Sequence, residues 1–313
     1  MPEATERLML LDSASLYFRA FHGVPDSVRS PRDEPVNAVR GFLDNIAYLV
    51  GEFRPTRLVC CWDDDWRPAF RVAALPSYKA HRAAPGRDGR VEEVPAALTP
   101  QVPVIVDVLA ALGIARQGAA GYEADDVMAT LAQRADCPVD VVTGDRDLFQ
   151  VVDDARAVRV LYVGRGVRRL QVFDQSVLAE KYGVPDGPSY AGMAALRGDP
   201  SDGLPGVPGI GEKTAATLLR RAGTLAGLLR ALDDGDDAVL GAQRGKPAAA
   251  REYLEAAPRV VDVVRDIEPA LLPEVDATLP LQPADPEALL ALDERWGLRS
   301  SLNRVLHALA ARG

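Results

Sequence analysis

Short apolar runs alternate with longer amphipathic stretches over the first half of the chain. Four of the runs have the length and composition of buried strands. They lie at residues 8–11, 57–62, 139–143 and 157–163. Leu, Val and Ala recur at three- and four-residue intervals in the stretches between them, which predicts helices at residues 36–52, 100–112 and 122–135. Strands that alternate with helices predict an α/β fold with a mainly parallel central sheet.

The pattern changes after about residue 174 to short helices interrupted by Gly and Pro. Residues 212–232 and 286–311 are predicted to be helical throughout, whereas residues 233–249 are predicted to form an exposed loop. We therefore predict a boundary near residue 185. It divides an α/β region, residues 1–185, from a helical region, residues 186–313.

The composition is that of a globular protein with a sizeable core. The chain has 313 residues, of which 48% are hydrophobic and 26% charged. Its three cysteines have no metal-ligand spacing, so we expect a reduced, cytoplasmic setting. The first residues are polar and no run of about 18 apolar residues occurs, so we expect neither export nor membrane insertion.

The charge is distributed unevenly. A net charge of −9 is unusual for a protein that binds a polyanion. However, nine carboxylates fall into a few short motifs and account for this excess. Residues 67–90, by contrast, hold six basic side chains against Asp88 alone. The local charge therefore permits nucleic-acid binding, which the total charge disfavours.

Acidic side chains follow the predicted strands. Asp12, Asp63 and Asp145 each come directly after an apolar run. The whole set is Asp12, Asp63, Glu123, Asp125, Asp126, Asp145, Asp147, Asp199 and Asp202. Each residue alone is explained equally well as a helix cap or a turn former. Because carboxylates at one edge of a parallel sheet repel one another, cations are expected among them. Oxygen ligands without His or Cys favour Mg²⁺ or Mn²⁺, and a pair of such ions is typical of phosphoryl transfer.

A glycine-rich segment precedes a strongly helical stretch near the middle of the chain. Gly206, Gly209 and Gly211 lie just before it. A nucleotide-binding P-loop is disfavoured because Glu212 separates Gly211 from Lys213. We interpret the segment as a hairpin whose backbone N–H groups, with Lys213 and Thr214, grip a phosphate. An ordinary glycine-rich turn is the alternative.

Five motifs, taken in order, resemble those of the 5′ nuclease (flap endonuclease) family, and especially the amino-terminal 5′→3′ exonuclease domain of bacterial DNA polymerase I. They read LLDSASLYFRAFH, CCWDDDWRPAFRVAALPSYKAHR, GYEADDVMATL, VVTGDRDLFQVV and LRGDPSDGLPGVPGIGEKTA. The resemblance implies a PIN-like core, a helical arch at about residues 76–98 and a helix–two-turn–helix around the glycine hairpin at residues 206–211. The last twenty residues resemble the end of such a nuclease domain, which implies a free-standing enzyme.

The resemblance also implies roles for individual residues. The first metal cluster would contain Asp12, Asp63, Glu123 and Asp125. The second would contain Asp145, Asp147, Asp199 and Asp202, with Asp145 between the clusters and Asp126 adjacent. The basic residues near the scissile phosphate would be Arg19, Arg71, Lys79 and Arg82, with Tyr78 stacking on a base. A potassium ion would bind at the glycine hairpin. Two positions depart from the family pattern: Ser13 stands where Gly is usual, and Gly203 where Asn is usual.

We therefore expect a structure-specific, two-metal 5′ nuclease that removes 5′ flaps or RNA primers and trims 5′ ends in replication, repair and Okazaki fragment processing. Its expected substrates are branched DNA and RNA primer–DNA junctions. DNA polymerase I and ligase are expected as functional partners of a monomeric protein. Two alternatives stay open: a Mg²⁺-dependent small-molecule phosphohydrolase, and a non-catalytic protein that binds branched DNA.

Overall fold

The centre of the molecule is a six-stranded sheet with the strand order β3-β2-β1-β4-β5-β6. The strands are β1 Leu8–Asp12, β2 Arg57–Cys61, β3 Ala115–Gln117, β4 Val139–Thr143, β5 Val158–Tyr162 and β6 Gln171–Phe173. Neighbouring strands are parallel, except that β6 runs antiparallel to β5. A computed structural model of the chain describes residues 6–85, 89 and 91–312. The predicted α/β fold with a mainly parallel sheet is confirmed.

Both faces of the sheet are covered, which explains why its strands are nearly continuous apolar runs. Alternate residues of β1 enter different cores: Leu10 packs in one hydrophobic cluster and Leu11 in the other. Leu10 lies opposite Val59 on β2 and Val141 on β4, so the apolar register continues across the central strands.

Helices form the two layers and the region that follows the sheet. They are α1 Ser13–Gly23, α2 Asn37–Phe53, α3 Ala69–Ala74, α4 Gln101–Leu112, α5 Ala124–Arg134, α6 Gln175–Tyr182, α7 Gly187–Arg197, α8 Glu212–Ala222, α9 Leu225–Asp234, α10 Asp237–Leu240, α11 Gly245–Ala249, α12 Arg251–Ala256, α13 Pro258–Val261, α14 Pro286–Trp296 and α15 Arg299–Ala310. Among the described residues, none of the helices is both long and apolar enough to cross a membrane.

Two of the predicted helices are interrupted. The stretch predicted at 212–232 is divided into two helices. Helix α8 ends before Gly223, which has a φ of 78°, and Thr224 is the N-cap of α9. The stretch predicted at 286–311 is divided at Gly297, which has a φ of 67°. In both cases glycine takes the left-handed conformation that ends a helix at little steric cost.

The segment predicted as a loop at 233–249 contains α10, a 3₁₀ turn and α11, so that prediction is wrong. The Asp236 side chain accepts hydrogen bonds from the backbone at the start of α10, a capping signal within the acidic run.

The arch segment, residues 76–98, has no α-helix in its described part. It contains a 3₁₀ turn at Ala80–Arg82 and an isolated antiparallel bridge between Ala83 and Glu92. Prolines at 76, 85 and 95 oppose a continuous helix, which differs from the helical arch that the family resemblance implies. Arg87, Asp88 and Arg90 of the basic segment lie outside the described residues.

The chain returns to the sheet after the helical region. Leu58 of β2 donates a hydrogen bond to the carbonyl of Ala277 at 2.8 Å, and Leu279 donates to that of Thr56 at 3.0 Å. Helices α14 and α15 then pack against α4 and α2. The C-terminal helices thus complete the layer on one face of the sheet.

Candidate active site

Asp12 closes β1 at the edge where the parallel strands end. Its Oδ1 accepts a hydrogen bond from the backbone N–H of Ser15 at 2.9 Å, and its Oδ2 accepts one from the Thr143 hydroxyl at 2.7 Å. The pKa of Asp12 is raised to about 7, chiefly by burial and to a smaller extent by the nearby carboxylates Asp63 and Asp145, whereas these two hydrogen bonds lower it. Asp12 is therefore both a helix cap and part of a concentrated negative field.

A cavity of about 730 Å³ opens at this edge of the sheet, and we call it the acidic cavity. The carboxylates of the predicted first cluster line it: Asp12, Asp63, Glu123 and Asp125, together with Asp145. Asp63 is positioned by the backbone N–H of Ala124, which donates to its Oδ1 at 2.8 Å. Burial, followed by the charges of Asp145 and Asp12, raises the pKa of Asp125 well above its ordinary value. The structure thus brings together side chains that are far apart in sequence.

The predicted second cluster adjoins the first through Asp145. Burial raises the pKa of Asp147 well above its ordinary value, and Asp145, Asp202 and Asp199 add to the effect. Asp145 also raises the pKa of Asp202, after burial. Because Asp145 acts on members of both sets, it lies within electrostatic reach of both, as the predicted position between the clusters requires.

Basic side chains of the chain itself pair with some of these carboxylates and neutralise part of their negative charge. Arg71, only 2% exposed, donates to both carboxylate oxygens of Asp126, at 2.6 and 2.9 Å, and also pairs with Glu123. Lys79 pairs with Glu123 as well. Asp126, predicted as a ligand adjacent to the metals, is fully buried and also accepts from the backbone of Val264. In this structure Arg71 and Asp126 form a buried ion pair, so neither contacts solvent.

The structure corrects the stacking role that the family resemblance implied for Tyr78. Its side chain is buried, with 3% exposure, and its hydroxyl donates to Glu123 Oε2 at 2.7 Å. The ring packs beside the guanidinium of Arg71 and the ammonium of Lys79. Tyr78 thus supports the carboxylate of Glu123, and its ring is not exposed to a base.

The start of the arch lies directly on the turn that carries Asp199 and Asp202. The backbone N–H of Lys79 donates to the Asp202 carbonyl at 3.0 Å, and the Arg82 guanidinium pairs with the Asp202 carboxylate at 2.8 Å. Gly203 has a φ of 73°, and a Cβ there would lie 2.2 Å from the Ser77 carbonyl oxygen. Gly203, a departure from the family pattern, therefore permits this close contact.

The carboxylates do not yet form a coordination shell. In the described part of the chain, no group of three or more His, Cys, Asp or Glu side chains has the spacing to hold a metal ion. Arg71, Lys79 and Arg82 instead pair with Glu123, Asp126 and Asp202. Asp147 Oδ1, however, is buried with no hydrogen-bond partner among the described residues. An unpaired oxygen among mutually repelling carboxylates fits a hard divalent cation.

The glycine hairpin precedes α8 as predicted. Gly206 and Gly209 have φ values of 65° and 74°, and Gly211 is the N-cap of α8. Lys213 is exposed in the first helical turn, and Thr214 beside it is half-buried. Buried side chains at 207 and 210 anchor the hairpin, whereas Gly209 and Gly211 are exposed.

Sequence reasoning missed several residues of these sites. Lys246 donates from α11 to the carbonyl of Gly209 at 2.9 Å, although its segment was predicted to be a loop. Asp64, Glu92 and Glu93 also line the acidic cavity. Glu92 and Glu93 are part of the arch, and their position beside Asp63 depends on how the arch folds back. The acidic run after β2 was the available signal for Asp64.

Comparison with known proteins identifies related chains. A family model described as 5′-3′ exonuclease, N-terminal resolvase-like domain, matches residues 7–183, and one described as 5′-3′ exonuclease, C-terminal SAM fold, matches residues 187–287. A 5′-3′ exonuclease of Streptomyces coelicolor is 59% identical, over 97% of this chain and 100% of its own length. A DNA polymerase I of Mycobacterium tuberculosis is 40% identical over 99% of this chain but 32% of its own length. A bacteriophage T5 flap endonuclease, solved with DNA and metal ions, is similar in fold, with a TM-score of 0.63, 19% identity and coverage of 97% and 99% of the two chains.

Proposed function

Because the chain belongs to the 5′-3′ exonuclease family and is therefore a nuclease, we propose that it cleaves phosphodiesters of flapped or 5′-ended DNA and of RNA primers with the help of Mg²⁺ or Mn²⁺. The observation that carries this proposal is the convergence of carboxylates on one cavity that is also lined by the cations Lys79 and Arg82 of the arch. The expected products are a 5′-phosphate and a 3′-hydroxyl. Replication, repair and Okazaki fragment processing are the processes that need this reaction.

Asp12, Asp63, Glu123 and Asp125 would hold one divalent ion, and Asp145, Asp147, Asp199 and Asp202 the other. Bound there, such ions supply a hydroxide at neutral pH and stabilise charge on the departing oxygen. The chain's own residues position the substrate. Lys79 and Arg82, now paired with Glu123 and Asp202, line the cavity together with Arg19, and all three can contact a phosphate bound there. Arg71 is too enclosed for that role, so we propose that it holds Glu123 in place.

The glycine hairpin would grip the duplex through its backbone N–H groups, with Lys213 and Thr214 on the phosphate. A potassium ion there would share the hairpin with the ammonium of Lys246, which already binds the Gly209 carbonyl. We propose a monomer with a division near residue 185, which the separate family-model matches support. DNA polymerase I and ligase would act on the same junctions before and after it.

The two alternatives are tested together with this proposal. The function of a small-molecule phosphohydrolase would not explain the presence of the glycine hairpin and the arch. A non-catalytic binder would have no need for Asp147 Oδ1, a buried acceptor without a partner among the described residues.

The deciding experiment uses a 5′-labelled flap duplex and a matched single strand, each with Mg²⁺, with Mn²⁺ and with excess chelator. We expect metal-dependent release of short 5′ products from the flap duplex. Tight binding without cleavage under every metal would support the non-catalytic binder. Hydrolysis of a generic phosphomonoester without DNA binding would support the phosphohydrolase.

A further inference from the structure

Arg197, the last residue of α7, lies between the predicted second metal cluster and the glycine hairpin. Its guanidinium is 3.8 Å from the carboxylate of Asp199, a member of that cluster, and 3.4 Å from the carboxylate of Glu212. Glu212 is the first residue of α8 and precedes Lys213, which the proposed function places on a phosphate of the duplex. One side chain therefore contacts a carboxylate of each region.

The backbone around Arg197 is fixed by the hairpin itself. The N–H of Val207 donates to the Leu196 carbonyl at 2.9 Å. A Cβ at Gly206 would lie 2.5 Å from the Arg197 carbonyl oxygen, so the two segments approach as closely as glycine permits. Because the backbone has little freedom to shift, the guanidinium is the part of Arg197 that can respond to a bound ligand.

The guanidinium of Arg197 is held loosely by comparison with that of Arg71. Arg71 donates to both carboxylate oxygens of Asp126, at 2.6 and 2.9 Å. Arg197 donates to Glu212 at 3.4 Å, and its distance of 3.8 Å from Asp199 is that of an ion pair without a hydrogen bond. A small rotation of the Arg197 side chain can therefore exchange one carboxylate for the other.

Arg197 also contributes to the electrostatics of the second cluster. Its charge lowers the pKa of Asp147, against the larger effects of burial and of neighbouring carboxylates. A divalent ion at these carboxylates would repel the guanidinium, whereas a phosphate beside Lys213 would attract it. Both ligands would therefore move Arg197 in the same direction, away from Asp199 and toward Glu212.

Building on the proposed nuclease function, we propose that Arg197 is a positioning residue that couples duplex binding at the glycine hairpin to divalent-ion binding at the second cluster. In the free protein it neutralises part of the charge of Asp199. When the duplex backbone reaches the hairpin, Arg197 pairs with Glu212, reduces the repulsion between that carboxylate and the phosphate, and leaves Asp199 free to bind an ion. Because this coupling is a property of an equilibrium, each ligand raises the affinity of the other by the same factor.

The test measures this factor without cleavage. A closed dumbbell duplex offers a backbone to the hairpin and has no 5′ end. Its dissociation constant is measured in chelator and in Mn²⁺ at one ionic strength, and the dissociation constant of Mn²⁺ is measured with and without the dumbbell by electron paramagnetic resonance of the free ion. We expect Mn²⁺ to tighten dumbbell binding by about tenfold in the wild type, and by about twofold or less in Arg197→Met and Glu212→Gln.

Binding in chelator separates this role from a purely structural one. Arg197→Met should bind the dumbbell more weakly than the wild type, because Glu212 then repels the phosphate unopposed, whereas Glu212→Gln should bind it at least as tightly as the wild type. Loss of an ion pair that only supports the fold would weaken binding in both variants. The Glu212 side chain is 39% exposed, so Glu212→Gln keeps the fold and carries the test by itself if Arg197→Met is unstable.

Arg220→Gln is the matched control. It removes the same charge from the last turn of α8, where the guanidinium donates to the Gly183 carbonyl at 3.1 Å, and it should keep the wild-type factor. A wild-type factor in Arg197→Met or in Glu212→Gln would overturn the proposal, as would independent binding of Mn²⁺ and the dumbbell by the wild type. Cleavage of a flap duplex by the wild type is followed in parallel. A protein that cuts the flap without this coupling keeps the nuclease function and loses only the role of Arg197.

Discussion

The acidic cavity and the glycine hairpin are built in opposite ways. Side chains of the cavity are largely buried, repel one another and are balanced by cations of the chain itself, such as Lys79 beside Glu123. The hairpin offers backbone N–H groups and an exposed lysine at the surface. Chemistry on a phosphate needs groups fixed in place before the substrate arrives, whereas holding a duplex of any sequence needs only exposed donors that meet its backbone.

The sharpest test of this difference is Asp145→Asn. Asp145 lines the cavity and acts on carboxylates of both acidic sets, so its loss should reduce cleavage by about 10³-fold or more. Binding of the flap duplex should survive, because the hairpin is untouched. Single-turnover cleavage in Mg²⁺ and affinity in chelator measure the two effects separately.

The substitution should preserve the local fold. The Asp145 side chain accepts a hydrogen bond from the backbone N–H of Asp147 at 2.9 Å, and the amide oxygen of Asn can accept the same bond. Asp107→Asn, on the exposed face of α4, is the matched control. Retained turnover in Asp145→Asn would remove this residue from the chemistry and weaken the contrast between the two regions.

Much of the cavity was predictable, because an Asp directly after a buried strand lies at the carboxyl edge of the sheet wherever the chain goes next. Asp12 and Asp63 follow this rule. The partners of these carboxylates were not predictable: Arg71 and Asp126 are 55 residues apart, and no local pattern indicates that their side chains meet. Strands β3 and β6, of three residues each, are too short to produce a periodic signal. Lys246 reaches Gly209 only because α10 and α11 fold back on the hairpin.

Arg71→Met tests whether the cavity depends on its internal cations. With the guanidinium gone, Glu123 and Asp126 lose a buried partner, and the free energy of unfolding should fall by about 3–5 kcal/mol. Urea denaturation followed by circular dichroism measures it. Combining Arg71→Met with Asp126→Asn should recover part of the loss, because one buried charge is removed. An unchanged free energy of unfolding in the single variant would mean that Arg71 does not stabilise the fold and serves substrate binding instead.

The pH dependence of stability is the next test, in protein stripped of metal. The folded pKa of Asp12 is raised from 3.8 to about 7, and those of Asp125 and Asp147 are raised as well. The folded state therefore binds more protons than the unfolded state in this range, and the stability that these groups contribute is lost as pH rises from about 4 through 7.

Urea unfolding in chelator should give a lower free energy of unfolding at pH 8 than at pH 5, and Mg²⁺ should reverse much of that loss because it stabilises the ionised carboxylates. Asp12→Asn should show a shallower decline. A stability that does not change between these pH values, or one that Mg²⁺ leaves unaltered at pH 8, would contradict the raised pKa values and the metal site together.

The smallest expected effect belongs to the hairpin. Lys213→Ala removes one exposed charge from the first turn of α8, so duplex affinity should fall modestly and the salt slope by about one, with the single-turnover rate at saturating enzyme unchanged. Lys181→Ala is the control, since that lysine is occupied locally by Gln171 and the ring of Phe173. A lower single-turnover rate at saturation in Lys213→Ala would show that the hairpin also aligns the scissile phosphate. The two regions would then be coupled, because a grip on the duplex backbone would set the position at which the carboxylates act.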